Sequence, residues 1–173
     1  MSRTEILISG FGGQGVIRIG QILGLAGVLS GLRATMLKSH GTETRGGYVR
    51  AQVVLSDEEI DRPVTDNPDI FIAMSKAAYQ RFYKTVDENG VIVYDPGYVE
   101  PDESSPAKQI AVPARDLSVD NFGKELFANM IIFGKIIRLL DGKIDRQTAK
   151  DALMQIIPRF IDDNLKAFDI GFG

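Results

Sequence analysis

An α/β fold, an open and mostly parallel sheet with helices on both faces, is predicted by three observations. Short β-branched apolar runs alternate with longer helical stretches. The first run ends in a glycine-rich turn, "GFGGQGV", that opens a helix, and the chain beyond Gly123 reads as helix alone.

Each element has its own reason. Glu5 to Ser9 ("EILIS") is a short apolar run stopped by glycine, as expected of a central buried strand. Gln14 to Ser30 follows as a helix, apolar on most of its circumference. Its Gly20, Gly24 and Gly27 each cost up to about 1 kcal/mol relative to alanine, which close packing on a sheet would offset. Gly31 ends that helix, and Arg33 to Lys38 makes a second strand, giving a β-α-β unit expected to cross over right-handed. "SHGTETRGG", Ser39 to Gly47, is polar and glycine-bounded and reads as a loop.

Val49, Ala51, Val53 and Leu55 then alternate with Tyr48, Arg50 and Gln52, the period of a half-buried strand. No helix precedes it, so it is expected to run antiparallel at the sheet margin. Asp69 to Met74 is another buried strand, and Ser75 is placed to cap a helix reaching about Asp87. Asn89-Gly90 turns the chain into the strand "VIVYD", stopped by Pro96-Gly97, and "KQIAVPA" is the last strand. Gly123 to Leu140, Asp145 to Ile157 and Phe160 to about Ile170 form a C-terminal helical segment, divided by Asp141-Gly142 and Pro158. Together these make a Rossmann-like sheet.

At 173 residues the chain is expected to form one domain over residues 1–173, hiding roughly 70% of its unfolded surface without staples. It has no cysteine, so it can ligate no iron–sulfur cluster and form no thiolate zinc site, and a cytoplasmic location is expected. Twenty basic against twenty-three acidic side chains give a net charge of −3, which offers no general attraction to nucleic acid or anionic lipid. Met1 to Thr4 is too short for a signal peptide, and Arg18 and Gln21 interrupt the apolar run from Val16 to Leu32, so no membrane segment is expected.

Gly10, Gly12 and Gly15 fit the spacing G-x-G-x-x-G, at the place where an open sheet docks ligands on a helix N-terminus. A functional reading rests a phosphate or other polar group on the amides of Gly12, Gly13 and Gln14; a bland one uses the glycines only for a tight turn and close packing. A dinucleotide site wants an acidic residue at the end of the second strand, and this chain has Lys38-Ser39-His40 there. Ordinary NAD chemistry is therefore disfavoured. Gln14, which can both donate and accept, points to a more specific contact than bare amides need.

The second loop should emerge on the same edge. The two turns would then converge the amides of residues 12–15, the hydroxyls of Ser39, Thr42 and Thr44, the His40 imidazole, the Glu43 carboxylate and the Arg45 guanidinium. His40 reads as a hydrogen-bonded loop residue before it reads as a general base. Arg45 either pairs with Glu43 or meets a ligand. Asn129, polar inside the apolar run "LFANMIIFG", needs a partner, with bonding to a loop favoured over ligand contact; Met74-Ser75 lies on the ligand-binding edge, with Ser75 explained as a cap. No spacing gives a metal site or a nucleophile with its base.

"ISGFGGQGV", "SHGTETRGGYVRAQVVLSDEEI", "PDIFIAMSKAAY" and "NMIIFGKIIRLL", in that order and over nearly the whole chain, resemble the gamma subunit of 2-oxoacid:ferredoxin oxidoreductases. The family loop usually reads S-Y-G-P/A-E-x-R-G-G; here His40 replaces the aromatic residue and Thr42 the Pro or Ala, while Ser39, Gly41, Glu43, Arg45, Gly46 and Gly47 keep their places. Indolepyruvate oxidoreductases carry a similar domain. The resemblance implies an accessory subunit, inactive alone, in the oxidative decarboxylation of a 2-oxoacid such as 2-oxoglutarate or pyruvate to acyl-CoA and CO2, with reduction of ferredoxin.

It also implies alpha, beta and ferredoxin-like delta partners, with thiamine diphosphate, magnesium and [4Fe-4S] clusters carried mainly by them and coenzyme A shared. The candidate binding residues are Gly12, Gly13, Gln14, Gly15, Ser39, Thr42, Glu43, Thr44 and Arg45, facing coenzyme A phosphates or the thiamine diphosphate end. No catalytic residue and no metal ligand is assigned. Two rivals stand beside this reading: a free-standing NAD(P)-binding protein, and a purely structural subunit. The preferred reading requires residues 12–15 and 39–47 to share one end of the molecule.

Overall fold

The computed structural model describes residues 3–40 and 48–173, His40 through its backbone alone. Six strands form one sheet: β1 (Arg3–Gly10), β2 (Arg33–His40), β3 (Val49–Ser56), β4 (Ile70–Ala73), β5 (Val91–Tyr94) and β6 (Lys108–Ala111), in the spatial order β2-β3-β1-β4-β5-β6. β1, β4, β5 and β6 run parallel, whereas β3 is antiparallel to both β1 and β2. Five strands therefore end on one edge, where β3 begins.

The antiparallel direction of β3 agrees with the sequence, but its place does not. It lies between β2 and β1, and β2 is the marginal strand. The burial pattern explains this: Ala51, Val53 and Leu55 are fully buried, which an interior strand requires and an edge does not supply.

Side chains alternate between two apolar layers. Ile6, Ile8, Ile70, Ile72, Ala51, Val53 and Leu55 join the larger core, which is closed by α1 (Val16–Leu29), α4 (Ala128–Leu139), α5 (Arg146–Ile156) and α6 (Ile161–Phe172). Leu7, Phe71, Ala73 and Ile92 face the opposite side, where α2 (Lys76–Phe82) supplies Tyr79 and Phe82. Helices thus cover both faces, most of them on one.

α1 lies flat on the sheet because a Cβ at Gly20 would stand 2.8 Å from Met36 Cε, and one at Gly27 2.6 Å from Leu55 Cδ2. Gly24 faces away, with nothing near it, and does not share that role. Ser75 caps α2 as expected, its Oγ accepting from the Ala78 N–H at 3.1 Å. α2 gives way to a 3-10 turn at Tyr83–Thr85, short of Asp87.

One helix is absent from the sequence reading: α3 (Ala114–Phe122), in which Ala114, Leu117 and Phe122 face the core and Val119 faces outward, a weak apolar stripe. α4 begins at Ala128 after a 3-10 turn at Glu125–Phe127, because Gly123 adopts φ 76° and closes α3.

Candidate functional site

The register puts both ends of the second loop beside the first. Val49, where β3 begins, faces Gly10 at the end of β1 on one side and His40 at the end of β2 on the other. The chain therefore leaves the edge at His40 and re-enters it at Val49, within two strand spacings, about 10 Å, of the glycine turn. Ser39 lies on this edge too. Thr42, Glu43, Thr44 and Arg45 lie outside the described residues.

Phe11 to Gly15 link β1 to α1, and their sequence dictates the path. Gly13 and Gly15 take φ of 92° and 79°, the left-handed region that favours glycine. Gly15 at that angle holds the start of α1 to Val16, two residues beyond the sequence-based start. Gln14 clamps the turn: its Oε1 accepts from the Phe11 N–H at 2.9 Å, and its Nε2 donates to the Met74 carbonyl at 2.7 Å. The Gln14 N–H also donates to the Phe11 carbonyl at 3.3 Å.

Both ends of this amide are thus satisfied inside the protein. The specific contact suspected for Gln14 is the end of β4, and its backbone amide is engaged in the turn. The open donors are the N–H groups of Gly12, Gly13 and Gly15, which have no acceptor among the described residues. They cluster at the N-terminus of a 14-residue helix, whose dipole adds about half a positive charge.

Ser39 is held from the neighbouring strand, its Oγ accepting from Arg50 Nε at 2.7 Å. The Arg50 guanidinium also lies 5.6 Å from the centroid of the Phe82 ring. Arg50 fixes the point at which the second loop departs.

Two cavities, each of about 510 Å³, flank the glycine turn. The one on the β3 side is bordered by Gly12, Gly13, Arg18, Gln21 and Val49, the last at the point where the chain re-enters the sheet after the second loop. The other lies past the ends of β4 and β5, against Met74, Asp95, Arg115, Asn129 and Phe160. Phe11, Gly13, Gly15 and Arg18 border both.

In the second cavity most polar groups brace one another. Asp95, 5% exposed, accepts from the Gly97 N–H at 2.9 Å and the Arg115 N–H at 3.0 Å, tying β5 to the start of α3. Arg115 Nε donates to Glu125 Oε1 at 2.7 Å, which raises the guanidinium's already high pKa, and its Cζ lies 5.5 Å from the Tyr98 ring centroid. Burial, then the Glu125 carboxylate, push the Tyr98 phenol above its ordinary range, so it remains a proton donor.

Asn129 comes down over the turn, where a Cβ on Gly15 would stand 3.1 Å from its Cγ. It packs on the loop without bonding to it: among the described residues its carboxamide has no hydrogen-bond partner.

The chemistry available is binding. Among the described residues no group of three or more His, Cys, Asp or Glu side chains could hold a metal ion, and the whole chain lacks cysteine. Without cysteine the chain has no thiolate to ligate an iron–sulfur cluster. A dinucleotide fits poorly as well: β2 ends without an acidic side chain, and β3 separates it from β1. No described helix is long and apolar enough to cross a membrane.

Asp95, Tyr98, Arg115 and Phe160 escaped the sequence reading. Asp95 was open to discovery as a carboxylate at the end of a parallel strand. Arg115 hid in the unread helix. Phe160 carries no sequence signal of its positive φ.

The pattern of the pyruvate ferredoxin/flavodoxin oxidoreductase family matches residues 5–173. The 2-oxoglutarate synthase subunit KorC of Methanothermobacter thermautotrophicus is 37% identical, over 98% of this chain and 93% of its own length. Among solved structures, the gamma subunit of a keto/oxoacid ferredoxin oxidoreductase from Geobacter sulfurreducens superposes with a TM-score of 0.85 at 29% identity, over 98% of this chain and 96% of that one. The 2-oxoglutarate:ferredoxin oxidoreductase of Magnetococcus marinus, with 2-oxoglutarate, coenzyme A and succinyl-CoA bound, gives a TM-score of 0.86 at 28% identity, over 99% of this chain and 31% of that one.

Proposed function

From the premise that the chain belongs to the pyruvate ferredoxin/flavodoxin oxidoreductase family and is a gamma-type subunit of a 2-oxoacid:ferredoxin oxidoreductase, we propose that its two edge loops hold the phosphates of coenzyme A. Residues 1–173 act as one domain, in the cytoplasm, within a complex of alpha, beta and delta subunits. Those partners carry thiamine diphosphate, magnesium and the [4Fe-4S] clusters. The reaction releases the carboxylate of a 2-oxoacid as CO2, joins the acyl carbon to the sulfur of coenzyme A with loss of the thiol proton, and passes the two electrons one at a time to ferredoxin. Its substrate is of the 2-oxoglutarate class, as in the relative named for that activity.

The observation that supports this reading is the shared edge: Gly10, Val49 and His40 stand in register, so the second loop starts and ends beside the glycine turn. The N–H groups of Gly12, Gly13 and Gly15 and the α1 N-terminus supply donors for a phosphate, and Arg45 adds a charge from the second loop. Ser39, braced by Arg50, Thr42, Glu43 and Thr44 complete the wall. Gln14 acts from behind, holding the turn against β4.

Kinetics of the assembled complex test it. A charge-assisted hydrogen bond contributes about 1.5–3 kcal/mol, so Arg45→Ala should raise the KM for coenzyme A about 10- to 100-fold while kcat at saturation is kept. An unchanged KM contradicts the proposal. The structural-subunit reading draws on Gln14, whose amide is fully engaged within the protein; it predicts that no loop variant alters coenzyme A use without altering assembly.

A further inference from the structure

The cavity beyond β4 and β5 is built differently from the one beside the second loop. Its mouth gathers three exposed apolar side chains, Phe11 at 41%, Leu126 at 54% and Phe160 at 48%. Three exposed apolar side chains around one cavity are a surface that a partner's apolar side chain could cover.

Phe160 is held there against its backbone preference. Its φ of 54° is the only positive value at a non-glycine residue among those described, in a region bulky side chains rarely adopt. Asn164, 6% exposed, keeps the turn in place by donating from Nδ2 to the Arg159 carbonyl at 3.1 Å and the Phe160 carbonyl at 3.0 Å. One edge of the ring packs on Phe127, their centroids 6.0 Å apart, and about half of its surface stays exposed at the cavity.

Charge narrows the occupant. Arg18 and Arg159 line the cavity, and Lys124 Nζ lies 5.1 Å from the Phe160 ring centroid; none of the three has a carboxylate partner among the described residues. The lining carboxylates are engaged, Glu125 by Arg115 and Asp95 by two backbone amides. Asp162 and Asp163, on the first turn of α6, do not line the cavity. Arg18 Nη1 donates to the Ile156 carbonyl at 3.4 Å, and Arg159 lies beside Lys124 over the Phe160 ring, so what these three cations lack is a carboxylate; the Asn129 carboxamide is unpartnered among the described residues.

We infer that this cavity receives a segment of a partner subunit of the same oxidoreductase, one that inserts an aromatic or branched apolar side chain between Phe11 and Phe160 and sets a carboxylate against Arg18, Arg159 and Lys124. Asn129 then meets the segment's backbone. The inference rests on the proposed function for the existence of that partner. In the Magnetococcus marinus enzyme the comparable region is 31% of a longer chain, so there it adjoins further protein covalently.

The test uses the complex assembled from this chain and its partner subunits, with the chain's dissociation followed by sedimentation velocity across a dilution series. Phe160→Gly and Arg159→Glu should each raise the dissociation constant at least about tenfold. The melting temperature of the isolated Phe160→Gly chain should be unchanged or higher, since glycine accepts the left-handed backbone. Val28→Ser, at the far end of α1, should leave association intact.

Wild-type association in both cavity variants overturns the inference. So does a raised KM for coenzyme A with assembly unaffected, which would make the cavity a ligand site, or self-association of the isolated chain that Phe160→Gly abolishes. Failure of the unmodified chain to join any oxidoreductase subunit removes the proposed function itself, and this inference with it.

Discussion

Gly15→Ala is the most informative single change in the glycine turn. A left-handed angle costs a residue with a Cβ about 1–2 kcal/mol, and Gly15 has φ 79°. The new methyl would also meet Asn129, standing 3.1 Å from its Cγ, with the amide nitrogen nearer still. Forcing an extra carbon into a packed contact costs about 1–3 kcal/mol, so the sum is about 2–5 kcal/mol. In an Asn129→Ala background the nearest side-chain atom left there is Cβ, at 3.3 Å, and only the backbone strain should persist. A double-mutant cycle by urea denaturation should therefore show a coupling of about 1–3 kcal/mol. At this chain length each kcal/mol moves the melting temperature by about 2–4 °C. If Gly15→Ala costs the same in both backgrounds, Asn129 does not pack on the turn as described.

Two further outcomes follow from particular contacts. Gln14→Leu removes the acceptor of the Phe11 N–H and the donor to the Met74 carbonyl; it should destabilise by about 1–3 kcal/mol and speed amide exchange at Phe11, read by hydrogen-exchange mass spectrometry. At Asp169, burial opposes ionisation, but hydrogen bonds from Lys150 and Arg146 outweigh it and hold the carboxyl below its usual range. A depressed folded value contributes stability that is full above the unfolded pKa of about 4 and is lost as pH falls through the folded one. Asp169→Asn should accordingly flatten the acid limb of a stability curve below about pH 4, with little change in its shape near neutrality.

Much of the fold was legible because its signals are local. β1 and β4 are compact apolar runs, Ser75 caps where its position required, and the alternation across β3 correctly divides Ala51, Val53 and Leu55 from Tyr48, Arg50 and Gln52. The order of strands is another matter. Alternation tells which face a residue takes, not which strand lies alongside, so it does not reveal that β3 lies between β1 and β2. α3 escaped because its apolar positions are too sparse to set a period.

At the site, the glycine turn and Ser39 were visible as motifs and do share an edge. The partner of Gln14 was not, since Met74 lies 60 residues away along the chain. The second cavity was invisible for a similar reason: Asp95, Arg115, Asn129 and Phe160 come from four separate segments that only packing brings together.

The central claim is that one ligand occupies the space between the two edge loops. Hydrogen exchange on the assembled complex, with and without coenzyme A, tests it most directly. The account predicts that coenzyme A slows exchange together at the amides of residues 12–17 and 39–50, with β6 unchanged. Slowing in neither segment, while coenzyme A still turns over, would contradict it.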